Sequence, residues 1–162
     1  MNIHFAKFSN YNRGLVADLL SDAYAFDDKY MNIDQFRESD DFWFDNLDIA
    51  DRCGFVTTLG SEVIGFISWD PRNMPAYAII GDNCIVTKHK GEGYGKLQLQ
   101  EAVNRIAENG AKKIFVSTNI DLVPAQRMYE SVGFVKLDNS TLESWQIAQN
   151  CEVYYAMDMC AG

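Results

Sequence analysis

Hydrophobic and polar positions alternate along some segments of the chain and recur at helical spacing along others. Alternation, and short apolar runs bounded by turn residues, predict strands. By this criterion strands are predicted over Ile3–Phe8, Gly54–Thr58, Val63–Trp69, Tyr77–Val86, Lys113–Thr118, Phe134–Leu137 and Val153–Met159. The fourth of these segments is apolar on both faces, which is typical of a central strand.

Apolar residues at helical spacing predict helices between these strands. The first helix places five apolar residues on one face: Leu15, Val16, Leu19, Leu20 and Ala23. Asn10 or Asn12 is its candidate N-cap. Further helices are predicted within Ile33–Ile49, over Leu97–Asn109 and from Pro124 to Ser131. Gly110 and Gly133 are typical residues for ending the last two helices.

The order of these elements predicts an α/β fold of the α+β type. Hairpins come first, and strands alternate with helices after Val86. This order indicates a mixed, mostly antiparallel central sheet flanked by helices, with one parallel β-α-β crossover. The chain has 162 residues, and we see no repeat or linker in it. A single domain over residues 1–162 is therefore expected.

The charge balance excludes several classes of partner. A formal net charge of −9 and an isoelectric point near 4.6 disfavour binding to nucleic acid or to an anionic membrane. No segment has the roughly 18 consecutive apolar residues that a membrane helix needs. The first residues lack the layout of a signal peptide. The expected location is therefore the cytoplasm.

Cysteine and histidine usage disfavours a metal site. The chain has two histidines and four cysteines, and the cysteines are Cys53, Cys84, Cys151 and Cys160. The cysteines are widely spaced and form no Cys-x-x-Cys pair, so no metal site is predicted. Buried free thiols in a reducing compartment are the expected state.

A glycine-rich segment between a strand and a helix is the main candidate for chemistry. Gly91, Gly93 and Gly95 follow the predicted strand that ends at Val86. Glycines let the backbone turn tightly and approach a ligand. A helix that begins directly afterwards points unpaired N–H groups at that ligand. The flanking basic residues are Lys88, Lys90 and Lys96. On an acidic chain, this pattern predicts a cradle for a phosphate group.

Taken alone, the glycine segment leaves three interpretations open. It can be a purely structural turn, a dinucleotide-binding turn or a P-loop. A dinucleotide fold needs an acidic residue at the end of the next strand, whereas that strand ends in Val116–Asn119. A P-loop needs Ser or Thr after its lysine, whereas Leu97 follows Lys96.

A second motif follows the glycine segment after one helix and one strand. It contains Tyr129, Gly133 and Phe134, in the spacing Tyr-x-x-x-Gly-Phe. This motif and the segment Lys90–Gly95 together resemble the GCN5-related N-acetyltransferase (GNAT) family. The acetyl-CoA loop of that family reads Arg/Gln-x-x-Gly-x-Gly/Ala, and lysine stands here in the basic position. The resemblance extends in strand order from about Gly54 to Met159.

The resemblance implies an acetyl-CoA-dependent N-acetyltransferase that works by direct attack in a ternary complex. It implies that loop amides hold the CoA pyrophosphate and that the strand before them pairs with the pantetheine arm. A backbone amide near Ile85 or Val86 is the candidate donor to the developing oxyanion. The implied cofactor-binding residues are Cys84, Ile85, Val86, Lys90, Gly91, Glu92, Gly93, Tyr94, Gly95, Lys96, Asn119 and Arg127.

The candidate catalytic residues are Tyr129, which the resemblance implies, and Asp82, which is a candidate because the family's usual base is missing and which can equally be a loop or edge residue. Tyr129 matches the family's general acid, which protonates the departing thiolate, although its ring can also simply pack beneath the Gly133 turn. Asp82 is the candidate general base, with Asp70 or a chain of water molecules as alternatives.

The chain departs from the family at three positions. Leu122 stands where many members have an asparagine that contacts CoA, and Asn119 is the nearby substitute. Ile79 and Ser117 stand where two branches of the family have a glutamate base.

The segment Tyr24–Asp51 is rich in acidic and aromatic residues and corresponds to the family's acceptor side. Carboxylates attract a cationic amine and aromatic faces can hold it, which predicts a basic small molecule or a peptide amine as acceptor. A solvated acidic face over a packed core is the alternative for most individual residues. The last strand, Val153–Met159, is a possible homodimer contact.

Two other functions stay open beside the transferase. One is a GNAT-like domain that binds acyl-CoA as a sensor or assembly module without turnover. The other is an enzyme that uses another nucleotide.

Overall fold

The computed structural model of the chain describes residues 2–159, and Cys160 lies outside this range. The described residues form two compact units. The first unit comprises residues 2–69 and 82–98, and the second comprises residues 70–81 and 99–159.

The strands are β1 (Ile3–Ala6), β2 (Gly54–Leu59), β3 (Glu62–Asp70), β4 (Ala78–Ile85), β5 (Lys113–Thr118), β6 (Val135–Lys136) and β7 (Val153–Asp158). The α-helices are α1 (Leu15–Ala23), α2 (Ile33–Asp45), α3 (Leu47–Arg52), α4 (Tyr94–Glu108), α5 (Val123–Val132) and α6 (Asn139–Ser144). Three short 3-10 turns lie at Phe8–Asn10, Asp28–Tyr30 and Thr87–His89.

The strands form one sheet with the order β1-β2-β3-β4-β5-β7-β6. Strands β4 and β5 are parallel, with Ala78 opposite Ile114 and Ile79 opposite Phe115. The pairs β1/β2, β2/β3, β5/β7 and β6/β7 are antiparallel. The predicted mixed, mostly antiparallel sheet with one parallel crossover is therefore confirmed. Strand β7 has β5 on one side and β6 on the other, so β6 forms the outer edge.

Helix α1 has a different N-cap from the predicted one. The cap position is Gly14, with a φ of 106°, and neither Asn10 nor Asn12 occupies it. Two amides at this helix start are satisfied from α2 instead, because the buried Asp40 carboxylate accepts hydrogen bonds from Gly14 N at 2.9 Å and Ala17 N at 3.0 Å. An acceptor from a distant helix has replaced the local cap, which sequence spacing cannot reveal.

Two other helical regions also differ from the predictions. The expected helix within Ile33–Ile49 is two helices, because the chain turns at Asn46 between α2 and α3. Helix α6 was not predicted. It begins after Asp138, whose carboxylate accepts a hydrogen bond from Thr141 N at 2.9 Å, which is a typical N-cap.

The first unit has its core between α1 and α2 and the strands. The buried residues of this cluster are Phe8, Val16, Leu19, Leu20, Ala23, Phe36, Ala50, Val56, Phe66 and Cys84. Cys53 and Cys84 are buried free thiols, as predicted, whereas Cys151 is only half-buried. Among the helices of residues 2–159, none has the length and apolar character required to cross a membrane.

Candidate functional site

The glycine segment forms an open loop at the beginning of α4. Gly91 has a φ of 78° and Gly93 a φ of 89°, both in the left-handed region that favours glycine. A Cβ atom at either position would meet no atom within 4 Å, so the loop borders open space. These conformations explain why glycine stands at both positions and leave the backbone accessible to a ligand.

Helix α4 begins at Tyr94, although its apolar pattern predicted a start at Leu97. Gly95 and Lys96 therefore belong to the first helical turn. Amides of a first turn have no carbonyl partner one turn earlier, and the helix dipole is positive there. Leu97 N donates back to Gly93 O at 3.3 Å. The loop amides and these first-turn amides together suit an anionic group.

The three lysines around the loop have different environments. Lys88 Nζ lies 3.0 Å from the Glu62 carboxylate, and Lys96 is exposed. Lys90 donates to the backbone oxygen of Ala23 at the end of α1, and its Nζ lies 4.6 Å from the centre of the Phe26 ring. Desolvation lowers the pKa of Lys90. The lysine in the family's basic position therefore contacts α1 and an aromatic face, and not the loop.

His89 connects the loop to the β2–β3 hairpin. Its Nδ1 lies 3.0 Å from the Glu92 carboxylate and its Nε2 lies 3.0 Å from the Glu62 carboxylate. The hydrogen bonds with Glu92 and Glu62 raise the pKa of His89. Hydrogen bonds from Lys88 and His89 lower the pKa of Glu62. Both shifts favour the charged forms of His89 and Glu62.

Helix α1 contacts the short turn Thr87–His89, which precedes the glycine loop. Asp22 Oδ1 accepts a hydrogen bond from Thr87 N at 2.6 Å, and the Asp22 backbone oxygen accepts one from Thr87 Oγ1 at 2.8 Å. The turn before the loop is therefore fixed to α1 through both the main chain and the side chain of Asp22.

The side chain of Gln98, on α4, anchors the helix to the strands. It is fully buried. Its Oε1 accepts a hydrogen bond from Thr57 Oγ1 at 2.6 Å, and its Nε2 donates to Phe66 O at 2.9 Å, Asn83 Oδ1 at 2.8 Å and Cys84 O at 3.2 Å. Because carbonyl oxygens only accept, the two backbone contacts fix the orientation of the Gln98 amide.

The strand before the loop presents one unpaired donor. Asn83 Oδ1 faces the Gln98 amide, so Asn83 Nδ2 points elsewhere. Among the described residues, Nδ2 is buried without a hydrogen-bond partner. By contrast, Val86 N donates to Ile64 O at 2.8 Å and is therefore engaged in the sheet. The backbone amides of Ile85 and Val86 are the two predicted donors to the oxyanion, and the Val86 amide already has a hydrogen-bond partner.

Asp82 and Asp70, the two candidate bases, differ in environment. Asp82 is half-buried in the first unit, and desolvation raises its pKa. In the second unit, the Asp70 carboxylate lies 2.6 Å from Arg72 Nη2, and this pairing lowers the pKa of Asp70. A general base works best with a pKa near the working pH, so Asp82 suits the role better than Asp70. The pKa of the Cys84 thiol is also raised, mainly by burial, which disfavours its thiolate form.

Tyr129 lies at the end of α5 in the second unit and is 5% exposed. Gly133 N donates to Glu130 O at 3.1 Å and Phe134 N donates to Tyr129 O at 3.0 Å, with Gly133 at a φ of 115°. This is a Schellman motif, in which the residues corresponding to Tyr129 and Phe134 make a hydrophobic contact. Their ring centres are 6.0 Å apart, and the Tyr155 ring lies 5.8 Å from Tyr129. The packing interpretation of Tyr129 is therefore observed.

The loop before α5 contains the other two cofactor candidates. Asn119 is half-buried, and its backbone oxygen accepts hydrogen bonds from Leu122 N at 3.0 Å and Gln126 Nε2 at 3.1 Å. Arg127 is exposed on α5.

The chain matches the model of the acetyltransferase (GNAT) family over residues 16–134. The chain belongs to the GNAT family. The matched range contains both the glycine loop and the motif around Tyr129. Comparison with curated protein sequences gave no significant match.

Solved GNAT structures share the fold. The PaiA N-acetyltransferase from Thermoplasma acidophilum, in complex with coenzyme A, has a TM-score of 0.78 and 15% identity, covering 98% of this chain and 99% of its own. The ribosomal-protein-S18-alanine N-acetyltransferase from Escherichia coli has a TM-score of 0.68 and 14% identity, covering 99% and 96%. The putative streptothricin acetyltransferase from Bacillus anthracis, in complex with acetyl coenzyme A, has a TM-score of 0.53 and 25% identity, covering 66% and 62%.

The acidic and aromatic segment of this GNAT chain is partly structural. Asp40 caps α1, Arg13 pairs with the Asp41 carboxylate at 2.8 Å, and Asp51 accepts a hydrogen bond from Ser9 N at 3.2 Å. The rings of Tyr24, Phe26, Tyr30 and Phe36 form a cluster whose neighbouring centres lie 5.7 to 6.3 Å apart. Phe26 is 55% exposed and is the part of this cluster most open to a ligand.

Sequence reasoning missed Gln98, Asn83, His89 and Glu62 as residues that position the GNAT loop. For Asn83 and Gln98 a signal existed, because each is a polar residue at an otherwise apolar position. The pairing of His89 with Glu62 had no such signal, since the two residues are remote in sequence.

Close packing around Gln98 predicts that Gly65→Ala destabilises the protein. A Cβ atom at Gly65 would lie 2.3 Å from Cys84 O and 3.0 Å from Gln98 Oε1. We expect a loss of at least about 2 kcal/mol in the free energy of unfolding, measured in urea. Gly60→Ala is the control, because Gly60 has a φ of 61° but open space around it, so only strain of about 1 kcal/mol is expected. Equal losses in the two variants would contradict the prediction.

Proposed function

We propose that this GNAT protein transfers the acetyl group of acetyl-CoA to a primary amine, by direct attack of the amine on the thioester in a ternary complex. The observation that carries the proposal is the glycine loop. Its left-handed Gly91 and Gly93 face open space at the first turn of α4, where amides and the helix dipole favour an anion. Membership in an acetyltransferase family supports the same conclusion.

The proposed cofactor contacts follow from the loop and β4. Amides from Gly91 to Lys96 would bind the pyrophosphate, and the backbone of Cys84–Val86 would pair with the pantetheine arm. Val86 N is already bonded to Ile64 O, so we favour the Ile85 amide as the donor to the oxyanion. Asn83 Nδ2 is a further donor for a ligand carbonyl, since pairing it would remove the cost of a buried unsatisfied group. Arg127 and Asn119 stay candidate contacts of CoA.

The proposed reaction assigns one proton transfer to each catalytic residue. The amine nitrogen forms a bond to the thioester carbon, and the carbon–sulfur bond breaks. Asp82 accepts the proton that the amine loses, for which its desolvated carboxyl is suited. Tyr129 donates a proton to the departing CoA thiolate, which is the role that the family resemblance implies for it. No metal takes part.

The proposed acceptor is a basic small molecule or a peptide amine. A net charge of −9 and the exposed Phe26 ring beside α1 favour a cation over an anion as substrate. We place this chemistry in the cytoplasm and retain a homodimer as a possibility to test.

A second candidate function is acyl-CoA binding without turnover. It is favoured by Ile79, Ser117 and Leu122, which replace functional residues of the family, and by the packing role that Tyr129 already has.

The two functions differ in whether an amine releases CoA. We expect free thiol to appear when the protein, acetyl-CoA and a panel of diamines and lysine or free N-terminal peptides are combined, with an acetyl mass gain on one amine. Calorimetric titration with CoA, NAD and ATP runs in parallel. CoA binding without any transfer would support the sensor, and a preference for NAD or ATP would contradict both CoA-based functions.

The base assignment predicts that Asp82→Asn lowers kcat at least about a hundredfold, because the amide cannot accept the amine proton. The dissociation constant for acetyl-CoA should change less than about twofold. Asp70→Asn is the matched control, since Asp70 is already paired with Arg72, and its kcat should stay near that of the unmodified protein. Equal kcat values in the two variants would remove Asp82 from the mechanism.

The acid assignment predicts that Tyr129→Phe lowers kcat about a hundredfold or more while stability is retained. Phenylalanine keeps the ring that packs against Phe134 and removes only the hydroxyl. Tyr129→Leu is the companion variant, which loses the ring as well and should also unfold at lower urea concentration. If Tyr129→Phe keeps full turnover, packing is the whole role of this residue.

A further inference from the structure

The imidazole of His89 lies between two carboxylates from different parts of the first unit. Glu62 begins β3, and Glu92 belongs to the glycine loop, between Gly91 and Gly93. Each carboxylate lies 3.0 Å from one ring nitrogen, and the His89 side chain is only 10% exposed. The loop that is proposed to bind a pyrophosphate therefore carries an acidic residue of its own, paired with a histidine.

The other groups around His89 are few and identifiable. The Tyr94 ring, from the first turn of α4, lies edge-on with its centre 5.8 Å from that of the imidazole. Lys88, from the same short turn, pairs with Glu62 at 3.0 Å. On the α1 side, the Asp22 carboxylate is bonded to Thr87 N.

Protonation of His89 changes the net charge of the group that it forms with Glu62, Glu92 and Lys88. A protonated imidazole has two N–H groups and donates to both carboxylates, whereas a neutral imidazole has one N–H group and can serve only one of them. With His89 protonated, the two cations Lys88 and His89 balance the two carboxylates. With His89 neutral, the group has a net charge of −1, and one carboxylate faces a nitrogen lone pair.

Glu92 is the carboxylate whose release matters for ligand binding, because Glu62 keeps its partner Lys88. An unpaired Glu92 side chain would repel an anion bound by the adjacent amides. We infer that His89 is a positioning residue for the cofactor: by pairing with Glu92, it withdraws that carboxylate from the loop and makes binding of a pyrophosphate group tighter when His89 is protonated. This inference rests on the proposed function, since CoA supplies the pyrophosphate.

The direction of the pH dependence follows from the pKa shifts. The pKa of His89 is raised above the ordinary value of about 6.5, so the paired form persists above that pH and is lost as the pH rises through the folded-state pKa. The pKa of Glu62 is lowered, so its pairing is lost only in acid, below the ordinary carboxyl range. Pyrophosphate affinity should therefore be highest in mildly acidic solution and fall toward alkaline pH.

The test measures the dissociation constant of dephospho-CoA by calorimetry between pH 5.5 and 8.5, from about one unit below to about two units above the ordinary histidine pKa. Dephospho-CoA keeps the pyrophosphate and lacks the terminal phosphate monoester of CoA, which itself titrates near pH 6. For the unmodified protein we expect the constant to rise roughly three- to eightfold across this range. This is the effect of repulsion between two unit charges about 7 Å apart when the dielectric constant lies between that of water and about half that value.

Three variants test which side chain causes the pH dependence of binding. Glu92→Gln should bind tightly at every pH, because the repelling carboxylate is absent. His89→Gln should bind weakly at every pH, because Glu92 stays unpaired. His4→Gln is the matched control, since His4 is the other histidine of the chain and lies exposed on β1. It should keep the pH dependence of the unmodified protein.

An NMR titration of the two imidazole side chains gives a readout that needs no ligand. The signal that disappears in His89→Gln should titrate above the ordinary histidine value of about 6.5, and Glu92→Gln should shift it downward. If the unmodified protein binds dephospho-CoA equally at all pH values, or if Glu92→Gln keeps the full dependence, the inference is overturned and the proposed function stands. Absence of binding at every pH overturns both.

Discussion

The Gln98 side chain is the contact on which the geometry of the candidate site depends. It reaches Thr57 on β2, the Phe66 carbonyl on β3 and the Cys84 carbonyl on β4, and so ties the beginning of α4 to three strands. The start of α4 sets the direction of the loop amides. The hydrogen bonds of the Gln98 side-chain amide in turn fix the position of that helix start. The same contact requires Gly65, because any side chain there would occupy the space of Gln98 and of the β4 backbone. A neutral, fully hydrogen-bonded group can fill this position without the desolvation penalty of a charge.

Around this fixed helix start, the loop is held by charged and polar contacts that come from both sides. Asp22 binds the Thr87 backbone from α1, and Glu62 binds His89 from the hairpin. Lys90 reaches back to the end of α1 and covers the Phe26 ring. The lysine that the family pattern assigns to the cofactor is thus part of the contact between the loop and the aromatic cluster.

Local patterns in the sequence predicted most elements correctly. The range of β5 and the helix ends at Gly110 and Gly133 depend on neighbouring residues, so they could be read from composition and spacing. The cap of α1 could not, because its acceptor is Asp40 from another helix. The start of α4 at Tyr94 was missed because glycine and polar residues there hide the helical pattern. In the site, the loop could be predicted from its glycines, whereas the partners of His89 and Gln98 depend on tertiary contacts between distant segments.

The end of helix α5 at Gly133 explains the spacing of the Tyr-x-x-x-Gly-Phe motif. Tyrosine, glycine and phenylalanine stand at their spacing because a Schellman turn brings the first ring against the last and needs a left-handed residue between them. This requirement is one of folding. A relative that had abandoned acyl transfer would lose stability if it discarded the motif, and so would retain it. In this chain the motif therefore has a role in stability that does not depend on acyl transfer, so its presence alone does not indicate activity.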